Sequence, residues 1–377
     1  MNVLKFATCA LCLVFVTSVG AQENNNEAIG YFNEAINYFK AKDFDKAIAY
    51  YTKAVQTNPE YTKAYYNRGN AKLNIKDYEG AIEDFNQVIK LDNTFAKAYL
   101  YKGFAYAKSK KYEKALRSYS DAIISDPNMY QAYTNRASIY IKKKEYARAI
   151  GDLNKALSMN DEQASAYYNR GICYNKEEKY FDAINDFTLA LDLDPKMTKV
   201  YSTRGKAFLK IDRYNEAISD FGMAIRKKPT ANLHYYRGYA HQKKEDMNAA
   251  AKDYNSALNL DPNHKNALKN KALISYNMEN YEDAVVEYGK LTRLYPDNYK
   301  YAMNRGVANL NLKQYKAAID DFDSVIGIDD QVAEAFFNRS NAYTQLEMYS
   351  KACDDMRQSA RLGYDPAFNH IRSLCDN

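Results

Sequence analysis

The stretch "AYYNRG" stands at Ala64–Gly69 and again, letter for letter, at Ala166–Gly171, 102 residues or three steps of 34 further on. A fixed step of this size marks a repeat array and outweighs the two or three independent domains that 377 residues could otherwise hold. Alignment on the Gly of "NRG" and on the Ala about twelve residues later gives ten units. They begin at Ala28, Thr62, Ala96, Tyr130, Ala164, Thr198, Ala231, Lys265, Tyr299 and Ala333. Only the sixth is one residue short, at Lys227 to Thr230.

Counting positions from each start, position 20 is Ala in all ten units: Ala47, Ala81, Ala115, Ala149, Ala183, Ala217, Ala250, Ala284, Ala318 and Ala352. Position 17 is Tyr in eight units, and position 32 is Pro at Pro59, Pro127, Pro195, Pro262 and Pro296, just past a helix end where proline belongs. Apolar or small residues at 4, 8, 11 and again at 20, 24, 27 follow a helical period that breaks near 15 to 17. Each unit is therefore expected to hold two helices of about 12 to 14 residues, too short to persist alone in water, so stacking must stabilise them. In the second unit the pattern reads Tyr65, Gly69, Lys72, Ala81, Phe85 and Val88, with Lys72 an exception.

These features together resemble the tetratricopeptide repeat, with Tyr65, Tyr99, Tyr133, Tyr167 and Tyr201 in the place of the usual Trp at position 4. The resemblance covers residues 28–364. It implies an all-α, right-handed superhelical solenoid of helix pairs whose first helices line a concave groove. "YDPAFNHIRSLC", Tyr364–Cys375, then looks like the capping helix that such arrays need, with 365–377 as cap and tail.

Composition agrees: Tyr is abundant (37), Trp absent, and Pro (7) and Gly (14) few. Nothing in the repeats is apolar for long enough to span a membrane. The opening "MNVLKFATCALCLVFVTSVGAQ" has one early lysine, a short apolar run and small residues at Val19 and Ala21, which reads as a signal peptide over 1–21. A retained anchor is the alternative. Residues 22–27 read as a polar lead-in, and the expected location is periplasmic or secreted. Cys173, Cys353 and Cys375 remain after cleavage. A Cys353–Cys375 disulfide clamping the cap and two free thiols are both open readings.

Position 7 is Arg in seven units (Arg68, Arg136, Arg170, Arg204, Arg237, Arg305, Arg339), and position 23 is Asp in the same seven (Asp84, Asp152, Asp186, Asp220, Asp253, Asp321, Asp355). The other units change both residues, as Glu34 with Tyr50, Lys102 with Ser118, and Lys271 with Glu287. In an antiparallel hairpin, residues at equal height have positions of constant sum, and 7 with 23 falls level with the packing pairs. We expect an Arg–Asp pair within each repeat; a ligand contact for the arginine is the competing reading.

The sequence gives no support for catalysis, a cofactor or a metal site. The four histidines form no constellation, and His234 and His241 occupy positions 4 and 11, where packing residues stand elsewhere. The family resemblance places positions 2, 5, 6, 9, 12 and 13 on the groove. Position 6 is Asn at Asn33, Asn67, Asn135, Asn169, Asn270, Asn304 and Asn338, a row that resembles the asparagine ladder of the O-GlcNAc transferase repeat domain and could hold a peptide backbone. Tyr66 and Tyr168 stand beside it. The same face carries twelve lysines, Lys108, Lys142, Lys176, Lys210 and Lys243 among them, against one acid, Glu334, although the whole chain is only +6. The expected function is an exported, non-enzymatic scaffold that binds an acidic or extended polypeptide segment. The alternative is an anionic glycan or lipid headgroup, and export disfavours nucleic acid.

Overall fold

A computed structural model of the chain describes residues 25–375. The signal peptide read at 1–21, the start of the lead-in at 22–24, and 376–377 of the tail lie outside the described residues. The described residues form two compact units, divided between Pro195 and Lys196. The first holds repeats one to five, and the second holds repeats six to ten and the cap. All regular structure among the described residues is α-helix.

The fifth repeat shows the plan, with a first helix at Ala164–Lys176 and a second at Tyr180–Leu193. Within each unit, each first helix packs on the second helix of its own repeat, and that second helix packs on the first helix of the next repeat. Small residues make the approach possible. The ten alanines of position 20 are all fully buried, and a Cβ added to Gly171 would fall 2.7 Å from the Phe187 ring, so glycine is what lets that ring lie across the seam.

The two helices of a repeat are separated by a turn that no glycine marks. The first helix of repeat two, Thr62–Asn74, ends with the Asp77 N–H donating to Lys72 O at 2.9 Å, the six-to-one bond of a Schellman cap. Lys76 between them is left-handed, at φ 65°. Position 15 is left-handed in every repeat, from Lys42 to Glu347, and it is Lys, Glu or Asp each time.

The expected lead-in is shorter than the sequence reading has it: residues 25–40 are helical, so Asn25, Asn26 and Glu27 already belong to the first helix. Their polarity fits an exposed opening turn, where Tyr31 Oη donates to Glu27 Oε1 at 3.0 Å and Asn58 Nδ2 to Asn25 Oδ1 at 3.0 Å. At the other end the capping helix Asp365–Cys375 packs on the second helix of repeat ten, Tyr349–Arg361. A disulfide between Cys353 and Cys375, Cα atoms 5.3 Å apart, ties the two together. Among the described residues no helix is long and apolar enough to cross a membrane.

Candidate functional site

The charges that recur from repeat to repeat resolve into ties between helices. Arg170 donates from Nε to Asp186 Oδ2 at 2.8 Å and from Nη2 to Oδ1 at 2.7 Å, the two-pronged geometry of a strong carboxylate pair. The same pairing joins Arg68 to Asp84 (2.6 Å), Arg136 to Asp152 (2.7 Å), Arg204 to Asp220 (2.8 Å), Arg237 to Asp253 (2.7 Å) and Arg339 to Asp355 (2.7 Å). Arg305 reaches Asp321 from Nε at 2.8 Å. All seven aspartates are buried. Burial pushes the Asp186, Asp220 and Asp321 carboxyls up from their ordinary value, against the opposite pull of their arginines.

Three parts of this network were not legible in the sequence. First, the free prong of the guanidinium reaches back to the preceding repeat: Nη1 of Arg68 to Thr52 Oγ1 at 3.1 Å, of Arg136 to Ser120 Oγ at 2.9 Å and of Arg170 to Asn154 Oδ1 at 2.7 Å, while Arg339 meets Asp323. The arginine thus links repeats as well as helices. Position 25 of the preceding unit was the available signal. Second, polar residues at position 11 serve the buried acid: Lys72 lies 2.9 Å from Asp84, Asn309 Nδ2 donates to Asp321 at 2.8 Å, and Ser275 Oγ donates to Glu287 at 3.0 Å. The Lys72 "exception" is therefore part of the tie. Third, Lys271 pairs with buried Glu287, so the eighth repeat keeps the bridge in other residues. His234 is likewise more than a packing residue, its Nδ1 standing 3.2 Å from Asp253 Oδ1.

The amide row is discontinuous. Asn270 is buried and donates to Tyr254 Oη at 3.0 Å, which withdraws it from the groove. Tyr101 interrupts between Asn67 and Asn135, so in the first unit the amides stand in adjacent repeats as Asn33 with Asn67 and Asn135 with Asn169. In the second unit Asn304, exposed, and Asn338, half-buried, are the adjacent pair. Tyr66 is drawn into packing, its ring centroid 5.1 Å from Phe95 and 5.9 Å from Tyr101, and burial pushes its phenol up to about 12. Tyr168 is half-buried with its ring 5.9 Å from Phe187.

The lysines of position 13 are exposed at Lys108, Lys142, Lys176, Lys210 and Lys243. Three of them rest on aromatic faces: Lys108 Nζ is 5.0 Å from the Phe104 ring, Lys142 5.4 Å from Tyr112 and Lys243 5.6 Å from Tyr239.

In the first unit these features converge on one cleft of about 560 Å³, opening between the first helices of repeats one to three. Asn67, Asn70 and Asn74 supply amides, Phe39, Tyr78, Tyr101 and Phe104 supply rings, and Lys76 and Lys108 supply the only charges on its walls. The second unit differs. A cleft of about 220 Å³ there, between Asn277, Asn304 and Val307, is lined by Glu334 and by no lysine. The groove face is thus not uniformly positive.

Comparison with known proteins fits this architecture. Residues 28–61, 62–95, 96–129 and 270–333 match tetratricopeptide repeat models, with boundaries at 62 and 96 where first helices begin. Residues 128–279 match the ETO1 C-terminal domain. No curated protein matches the chain. Among solved structures, the C-terminal part of a TPR repeat-containing protein of Cytophaga hutchinsonii is 20% identical, covering 63% of this chain and 98% of its own, with a TM-score of 0.55. PilF of Pseudomonas aeruginosa is 17% identical, covering 59% and 99%, with a TM-score of 0.50. YrrB, described as a TPR protein with an unusual peptide-binding site, is 24% identical over 50% of this chain and 97% of its own, at a TM-score of 0.48. The repeats of this chain, with their helix pairs, small-residue seams and period, are tetratricopeptide repeats.

Proposed function

We propose that the protein is an exported, non-catalytic scaffold whose first-unit groove holds an extended polypeptide segment rich in acidic residues. The observation that carries this reading is the cleft of about 560 Å³, in which three amides, four rings and two lysines stand without an acid on the walls. Amides can donate to and accept from a peptide backbone, and lysines on a concave wall favour carboxylates. The paired spacing of Asn33–Asn67 and Asn135–Asn169 suits a segment gripped in short stretches. Export is supported by the signal-like N-terminus and by the Cys353–Cys375 disulfide, which an oxidising compartment preserves.

The test is fluorescence anisotropy of the mature chain with a labelled glutamate-rich peptide, a neutral peptide of equal length, and vesicles or a sulfated glycan as anionic non-peptides. The acidic peptide should bind best, weaken steeply with salt, and lose affinity in Lys108→Ala and in Asn67→Ala. Equal binding of the neutral peptide, or preference for the vesicle or glycan, would refute it.

A further inference from the structure

The sixth repeat is where the period fails, and the failure leaves a cavity. Elsewhere four residues join a second helix to the next first helix, as in Asn58–Tyr61 and Asp92–Phe95. After Tyr214–Lys227 only Lys228, Pro229 and Thr230 intervene before Ala231. The lost residue is one of those that elsewhere lead into a bulky position 34, such as Tyr61, Phe95 or Met197. Two other departures fall at the same place. Position 5 is Ser202, where Tyr66 and Tyr168 stand in repeats two and five, and position 9 is Lys206, the only lysine at that position in the ten units. Together they leave a pocket of about 360 Å³.

Its walls divide by chemistry. Ala224, Leu233 and Tyr236 make an apolar side, while Lys206 and Lys228 bring positive charge, and no acid lines it. Lys206 Nζ lies 4.5 Å from the centre of the Tyr236 ring, so the cation and the apolar surface meet on one ligand-facing wall. The helix Ala231–Lys243 begins at the pocket, capped by Thr230 Oγ1 accepting from the Leu233 N–H at 3.3 Å, and its dipole adds to the positive field. Two cations beside a helix N-terminus exceed what a single carboxylate neutralises and suit a dianion. The apolar side requires a body behind the charge.

We infer that this pocket is a binding site for a phosphate monoester carried on a small apolar or aromatic body. The inference stands apart from the first-unit groove, since every residue it uses lies in 198–236. A bare phosphate and a phosphorylated organic molecule share the charged head; the apolar wall selects the second.

The test is calorimetric titration of the full mature chain with phenyl phosphate, inorganic phosphate and benzoate at low ionic strength. Phenyl phosphate should bind more tightly than either of the others. Lys206→Gln should weaken it by about tenfold or more, the worth of one charge-assisted hydrogen bond. Ser202→Tyr restores the ring that repeats two and five carry at this position; it should abolish binding while melting curves and acidic-peptide binding stay unchanged. Absence of phenyl phosphate binding, or binding indifferent to both substitutions, overturns the site. Equal affinity for inorganic phosphate overturns the assignment of an organic body.

Discussion

Replacing Arg170 with Leu tests the tie that recurs in seven of the repeats. In the native chain the Asp186 side chain is only 4% exposed and receives both its guanidinium bonds at 2.7 and 2.8 Å. Leucine keeps the bulk but leaves that carboxylate buried without its cation. Breaking one partner of a buried pair costs about 3–5 kcal/mol, and the lost bond to Asn154 adds about 1 kcal/mol. Because burial already holds the Asp186 carboxyl above its ordinary value, the pair is no large net stabiliser, and Arg170→Leu with Asp186→Leu should return to within about 1 kcal/mol of wild type. The sign of the pH dependence follows. A carboxyl with a raised folded value contributes stability in its protonated form and loses it as pH rises through that value. The penalty of Arg170→Leu is therefore greatest near neutrality and shrinks toward about pH 4 as the orphaned acid protonates. Urea unfolding followed by circular dichroism, with hydrogen exchange over 164–193, measures both. A cost under about 1 kcal/mol for the single change, or an additive double mutant, refutes a buried tie.

Other outcomes follow from the same packing. Reducing Cys353–Cys375 should release the cap helix and remove about 3 kcal/mol of loop constraint; hydrogen exchange should quicken in 349–375 and not in the first unit. Lys110→Gly relieves a left-handed lysine at φ 60° and should raise stability by up to about 1 kcal/mol, whereas loss of stability would show that the Lys110 side chain is itself anchored. Tyr51 and Tyr288 are pushed up to about 12 by burial, so their contribution is intact below pH 10 and is lost toward 12. Absorbance titration should resolve a late phenolate class that appears together with unfolding. Cys173, buried and pushed up to about 12 chiefly by burial, should resist thiol reagents until the chain unfolds.

The period, the two helices per unit and the alanine seam could be read directly, because each is repeated and each depends on residue size at a fixed spacing. The Arg–Asp match was visible for a related reason: charges that must meet in a low-dielectric seam change together between units. What could not be read lacks that coupling. The left-handed turn at position 15 carries Lys, Glu or Asp, and because the chain closes the Schellman bonds regardless, no glycine announces it. Lys72 looked like a flaw in an apolar stripe until Asp84 was found within 2.9 Å of it. Asn270 has the same letter as Asn169 yet turns inward to the phenol of Tyr254, sixteen residues before it, where the corresponding residue before Asn169 is Leu153. A side chain's direction on a crowded helix is decided by the neighbour across the seam, and that neighbour is set by tertiary packing.

The adjacent letters "NR" therefore answer to different constraints. Arg170 has three bonds and a buried partner, so almost any change to it is felt through the stack. Asn169, one residue earlier and half-buried, makes no part of that tie. Substituting it should shift stability by no more than about 0.5 kcal/mol, as for a surface position. Positions 5 and 6 are drawn inward in some repeats, as at Tyr66 and Asn270, whereas positions 2, 9 and 13 are where the array can vary its surface without weakening its stack. There the first unit sets amides and lysine around one cleft, the sixth repeat opens a basic pocket, and the tenth contributes Glu334. If Asn169→Ser destabilised the protein as much as Arg170→Leu, this division between the tie and the variable face would be wrong, and the amides would have to be counted among the packing residues.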